Sequence, residues 1–227
     1  MSGAAPFDLI IFDYDGVIAD SEILNNQALS EMLTAHGLPT TVDEALEAYM
    51  GKRWRDCAPV IREKLGRDLP EEMLVDWTAR CEAAAATTLQ PVAGVQDFVA
   101  AWDGPICVAS SSPPDWLAVG LARFGLAEAF GDRLYSAAIH VERGKPYPDL
   151  FLHAAREMGA DPARTLVLED STAGVQAGVA AGMTVVAVCA GGHIRPGHPE
   201  RLMAAGAHHR IDAYAALAGW LRSGSEA

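Results

Sequence analysis

Two acids stand two residues apart in Asp13-Tyr14-Asp15-Gly16, directly behind the apolar run Leu9-Ile10-Ile11-Phe12. Alternate side chains of an extended chain share a face, so both carboxyl groups point the same way. Like charges so placed repel, and the simplest offset is a divalent cation. Gly16 permits the tight or positive-φ backbone that takes the chain out of a strand. A carboxylate can attack phosphorus to form an aspartyl-phosphate, while a second carboxyl protonates the leaving oxygen and later activates water. Asp13 is therefore assigned as nucleophile and Asp15 as acid/base. The plainer alternative is a pair of solvated acids before a turn.

Three further segments carry polar groups that suit the same chemistry, two of them at the ends of apolar runs. Ser110-Ser111-Ser112 follows Ile106-Cys107-Val108-Ala109. The Ser110 hydroxyl, with the backbone N–H groups of Ser111 and Ser112 leading into a helix, can bind phosphate oxygens. A serine-rich helix cap is the alternative. Lys145 lies in Gly144-Lys145-Pro146-Tyr147-Pro148-Asp149, where two prolines stiffen the backbone. Held there, it can offset the charge of nucleophile and phosphate, although most lysines are simply solvated. Glu169-Asp170 ends Thr165-Leu166-Val167-Leu168. A carboxylate there, facing Asp13, would complete a Mg²⁺ site with few protein ligands. Helix capping by Asp170 accounts for only one of the two acids. Phosphoryl transfer needs a nucleophile, charge neutralisation and a positioned metal, and these segments supply them in order.

The elements that must position these groups are legible in the apolar pattern. The run before Asp13 reads as a buried parallel strand. Residues 21 to 90 show helices and no convincing strand: about Ser21 to His36, ended by Gly37; Val42 to Tyr49; Arg55 to Leu65, closed by Gly66; and Pro70 to Thr87. Beyond Pro91, helix and strand alternate. Predicted strands are Pro105 to Ala109, Thr165 to Leu168, Thr184 to Val188 and His209 to Ile211. Predicted helices are Val95 to Trp102, Pro113 to Phe124, Leu150 to Met158, Ala173 to Ala181 and a terminal one. Residues 191 to 199 read as a Gly/His/Pro-rich loop in which His193 and His198 pack or cap rather than catalyse, with a metal site there as the lesser alternative. Repeated βα units predict an α/β fold with a Rossmann-like parallel sheet covered by helices on both faces. Residues 1–19 and 91–227 would form this discontinuous core, and residues 20–90 a helical cap inserted after the first strand.

The chain has 227 residues, half of them hydrophobic, enough for one domain with a large insertion or for two small domains. Its 17 basic and 30 acidic residues give a net charge of −13. That disfavours nucleic acid and anionic membrane as partners, since both need basic patches. A small anionic substrate held by a few local cations remains compatible. Cys57, Cys81, Cys107 and Cys189 show no C-x-x-C spacing and read as reduced packing residues. No secretory signal or membrane-length apolar run is visible, so the cytoplasm is the expected compartment.

Together these segments resemble the haloacid dehalogenase superfamily of phosphohydrolases, over essentially the whole chain. Asp13-x-Asp15-Gly16, Ser110, Lys145 in Gly-Lys-Pro-x-Pro-Asp, and Glu169-Asp170-Ser171 with Gly174-Val175 look like its four motifs. The resemblance implies a Rossmann-like core, an aspartyl-phosphate intermediate, and Mg²⁺ held by Asp13, the backbone carbonyl of Asp15, and Asp170, with Glu169 nearby. The cap is similar to that of the β-phosphoglucomutase-like branch, which includes 6-phosphogluconate, sugar-phosphate and phosphoglycolate phosphatases.

Asp15 argues against dehalogenation, because the dehalogenases lack the second aspartate. The mutases carry a cap histidine where Asn25 stands, and a cap arginine near Trp54, flanked here by Arg53 and Arg55. Both departures favour a phosphatase over a mutase. Lys52 keeps the Schiff-base chemistry of phosphonatases as a further alternative. The basic segment Met50-Gly51-Lys52-Arg53-Trp54-Arg55 reads as a loop over the active site, with Lys52 and Arg53 meeting the substrate; a solvated helix start is the alternative. A catalytically silent binding module on the same fold would be favoured by loss of Asp13, Asp15, Lys145 or Asp170, and all four are present. The expected activity is hydrolysis of a small phosphorylated sugar or sugar acid.

Overall fold

The computed structural model describes residues 7–222. Six strands form one all-parallel sheet: β1 (Leu9–Phe12), β2 (Ile106–Ser110), β3 (Leu134–Ser136), β4 (Thr165–Glu169), β5 (Thr184–Val188) and β6 (His209–Ile211). Their order is β3-β2-β1-β4-β5-β6, so the strand sequence reverses around β1. In open α/β sheets ligands bind beyond the carboxyl ends of the strands at such a switch point. The predicted α/β fold and its parallel sheet are what the chain forms.

Alternation along β1 feeds two cores. Ile10 and Phe12 pack with Val108, Leu166, Leu168 and Val186 on one face. Leu9 and Ile11 pack with Cys107, Ala109, Val167 and Val185 on the other. Burial on both faces explains why these strands read as unbroken apolar runs. Phe12 meets Phe130 edge to face, with centroids 5.5 Å apart, which seats the strand just before Asp13.

Between β1 and β2 run α1 (Glu22–Ala35), α2 (Val42–Tyr49), α3 (Trp54–Leu65), α4 (Glu72–Thr88) and α5 (Val95–Ala101). The first four enclose an apolar cluster of their own, including Leu29, Met32, Leu33, Tyr49, Cys57, Ile61 and Met73. Thr41 and Glu44 form a capping box that starts α2. The outgoing and returning chains meet in a bridge between Ala19 and Pro91. Helices α6 (Pro114–Arg123), α7 (Ala127–Phe130), α8 (Asp149–Glu157), α9 (Thr172–Ala180), α10 (His198–Ala204) and α11 (Tyr214–Arg222) complete the layers. No helix among the described residues is long and apolar enough to cross a membrane. The four cysteines are free, with Cys57, Cys81 and Cys107 buried.

Three elements depart from the expectation. Strand β3 was not predicted: it is three residues long, only Ser136 is buried, and it lies at the sheet edge. Helix α7 is one turn and too short for a periodic signal. Helix α10 takes His198 and Pro199 out of the predicted loop, starting from Gly197 at φ +82°, with Pro199 in its first turn.

Candidate active site

Asp13 leaves the end of β1 still paired to the sheet, its N–H donating to Leu168 O at 3.0 Å. The residue is 3% exposed, and Lys145 Nζ lies 2.9 Å from Oδ1. Lys145 also reaches Glu169 Oε1 at 2.5 Å. Burial pushes the Asp13 carboxyl well above its ordinary range, and Lys145 pulls against that shift. Burial likewise penalises the Lys145 ammonium, but Asp13 and Glu169 outweigh it and raise its pKa. The lysine is thus held charged beside the candidate nucleophile.

Glu169 is anchored from below. One of its oxygens accepts from Asp170 N, Ser171 N and Ser171 Oγ, each at 3.0 Å. Ser171 also caps α9 by accepting from Gly174 N. A Cβ at Gly174 would stand 1.8 Å from Glu169 Oε1, so only glycine leaves room for that carboxylate. Capping by Ser171 frees Asp170 from that duty. Asp170 is fully buried, and neither of its carboxylate oxygens has a hydrogen-bond partner. Burial, then Glu169, raises its pKa.

Asp15 is gathered by donors from three elements. Oδ1 accepts from Ser21 Oγ at 2.5 Å, Trp116 Nε1 at 3.1 Å and Asn25 Nδ2 at 3.2 Å, and Oδ2 accepts from Ser112 Oγ at 2.5 Å. Ser21, which precedes α1, makes no helix-cap bond; its hydroxyl serves Asp15 instead. Ser110 is buried at the end of β2, where its Oγ accepts from Ser112 N. Ser111 Oγ donates across to Gly51 O at 2.9 Å.

Asp13, Asp15 and Ser110–Ser112 line a cleft of about 70 Å³ together with Asn25, Tyr49, Gly51, Lys52 and Trp77. Of the two basic residues expected to meet substrate, Lys52 lines the cleft, although its Nζ donates back to Ala48 O. Arg53 does not line it. The residue is buried, its guanidinium bound to Asp56 and to the carbonyls of Ala137 at 2.9 Å and Val141 at 3.3 Å. The five donors of its rigid fork let this one side chain serve all of these convergent acceptors at once. Arg55 joins it on Val141 O and Glu142 O. These contacts tie the start of α3 to the segment that leads into Lys145. Sequence reasoning missed Ser112 and Trp116 as partners of Asp15, and Glu22, which is buried on the cleft wall and bonded to Asn26.

The acids fit a small hard cation. Asp13, Glu169 and Asp170 offer carboxylate oxygens within 4.8 Å of one another, all buried. Asp13 has Lys145 as its counter-charge, but neither Asp170 oxygen has a hydrogen bond. Buried anions without donors are costly unless paired or bound to metal, and hard oxygen donors suit Mg²⁺.

Residues 7–182 match the haloacid dehalogenase-like hydrolase family. The chain belongs to that family. Among related hydrolases, 6-phosphogluconate phosphatase of Escherichia coli is 28% identical over 196 residues, covering 85% of this chain and 88% of the relative. Fructose-1-phosphate phosphatase YqaB of Escherichia coli is 32% identical over 181 residues, covering 79% and 95%. A haloacid dehalogenase-like protein of unknown function from Agrobacterium tumefaciens superposes with a TM-score of 0.83 at 33% identity, covering 97% of this chain and all of that one. A family hydrolase from Deinococcus radiodurans, solved with bound phosphate and sodium, gives 0.76 at 30% identity, covering 97% of each chain.

Proposed function

We propose that this haloacid dehalogenase-like hydrolase is a Mg²⁺-assisted phosphatase of small phosphorylated sugars or sugar acids, working in the cytoplasm through a phosphorylated Asp13. The observation that carries the reading is the buried Asp13 carboxylate, 2.9 Å from Lys145 and two residues before an Asp15 turned to the same cleft. The sugar-phosphate substrates in the names of its relatives support the substrate class. A cleft of about 70 Å³ suits the reacting end of a small metabolite.

Ser110 and Lys145 grip the substrate phosphate. An Asp13 carboxylate oxygen bonds to phosphorus as the ester P–O bond breaks, and the departing alkoxide takes a proton from the Asp15 carboxyl. Water then gives a proton back to Asp15 and adds to phosphorus, and the bond to Asp13 breaks to release inorganic phosphate. Asp13 and Asp170, with the Asp15 backbone carbonyl, would hold Mg²⁺, which neutralises charge on the transferring group. Glu169 fixes Lys145 beside Asp13. Asn25 stands against Asp15 where a mutase would present a histidine; its amide offers no base to a sugar hydroxyl, which favours hydrolysis over isomerisation.

The test is inorganic phosphate release with Mg²⁺ across a panel of sugar phosphates and sugar-acid phosphates, with Asp13→Asn as control. Turnover of one compound class, lost in the variant and abolished by EDTA, is expected. Near-wild-type release by Asp13→Asn, or activity indifferent to chelation, would sink the reading.

A further inference from the structure

Two histidines after β5 have no part in the chemistry above, yet both converge on Asp170. His193 is 1% exposed, and its Nε2 lies 2.8 Å from Asp170 Oδ2, not yet aligned as a hydrogen bond. His198 packs edge-on against it, with centroids 5.6 Å apart, and its Nε2 lies 2.7 Å from the Asp170 carbonyl oxygen. The turn after β1 is shaped around the same group. A Cβ at Gly16 would stand 1.8 Å from Asp170 Oδ2 and 2.9 Å from His193 Cε1, and one at Gly191 would stand 2.7 Å from the His193 ring. Gly192 N donates to Asp20 Oδ1 at 2.9 Å, which ties the loop to the chain leaving that turn. A ring that served only to fill space would not need its polar edge against a buried carboxylate.

We propose that His193 is a positioning residue of the cation site: its Nε2–H holds Asp170 Oδ2 and leaves Oδ1 for the divalent cation. The inference rests on the metal reading above. Ligating carboxylates are themselves held by hydrogen bonds, and losing such a partner costs about 10–100-fold in metal affinity. His193 would thus set the affinity of the site without touching substrate or cation.

The experiment is calorimetric titration of Mg²⁺ alone into the full chain, stripped with EDTA and dialysed, for wild type, Asp170→Asn, His193→Gln and His193→Met. Glutamine carries an amide nitrogen near the Nε2 position, whereas methionine fills the space without a donor. His193→Met should bind Mg²⁺ about 10–100-fold more weakly, and His193→Gln should recover most of that loss. Met binding as tightly as wild type overturns the inference, as does Gln binding as weakly as Met. Wild type that takes no Mg²⁺ overturns the metal reading and this inference with it. Should circular dichroism show the Met variant unfolded, long-range ¹H–¹⁵N spectra of the wild-type imidazole decide instead. An Nε2–H tautomer whose signals move on Mg²⁺ addition is expected; an Nδ1–H tautomer, or signals blind to Mg²⁺, overturns the assignment.

Discussion

Lys145 is a buried cation shared by two buried acids. Fully buried between Asp13 and Glu169, its ammonium is tolerable only because both carboxylates face it. Lys145→Met should therefore cost about 3–5 kcal/mol of unfolding free energy, since two buried acids lose their counter-charge. Urea titration of the metal-free protein checks this; a change below about 1 kcal/mol would mean that the acids take up protons and relax. Gly16 carries a different constraint. At φ +76° any side chain is strained by about 1–2 kcal/mol, and a Cβ there would displace Asp170. Gly16→Ala should leave a folded protein whose kcat has fallen by about 100-fold or more, the usual consequence of moving a catalytic group by an ångström. Phosphate-release kinetics beside a circular dichroism spectrum distinguish that outcome from unfolding.

At the scale of elements, the contact between α3 and the segment before Lys145 stands out. Arg53 holds the carbonyls of Ala137 and Val141, and Ser111 holds Gly51 from the opposite side. The start of α3 is thus bonded directly to the segment that leads into Lys145. Arg53→Ala removes these bonds and should lower kcat/KM about tenfold, the weight of one to two hydrogen bonds. Lysine at that position should not restore it, because a single ammonium cannot reproduce the fork. Unchanged kcat/KM in Arg53→Ala would show that this contact contributes nothing to turnover. Arg53, expected to meet substrate, is bonded to Asp56 and to the Ala137 and Val141 carbonyls, while Lys52 lines the cleft.

For the whole molecule, burial sets the chemistry of the thiols: it raises Cys57 and Cys81 to about 12 and Cys189 to about 11, and raises Cys107 as well. The native chain should react slowly with a thiol-specific disulfide reagent at neutral pH, the half-buried Cys189 first, and all four cysteines quickly in urea. Fast stoichiometric labelling of Cys107 in the native state would contradict the packing of β2. The net charge of −13 concentrates inward as well as outward, with Asp13, Asp15, Glu22, Glu169 and Asp170 all buried around one end of the sheet. What the sequence determined by itself was local: apolar runs of four or five residues made the central strands, polar residues at their ends marked Asp13, Asp15, Ser110, Glu169 and Asp170, and a proline-flanked loop marked Lys145. The tertiary structure alone decided which groups those residues meet. Ser112, Trp116 and Asn25 reach Asp15 from positions 97, 101 and 10 residues away, and His193 reaches Asp170 from beyond β5. Arg53 and Lys52 are neighbours of like charge in the chain, yet one is buried against carbonyls and the other lines the cleft. The physical reason is range: strand and helix patterns arise from contacts between near neighbours, whereas a side chain's partner at a sheet edge depends on how distant segments pack.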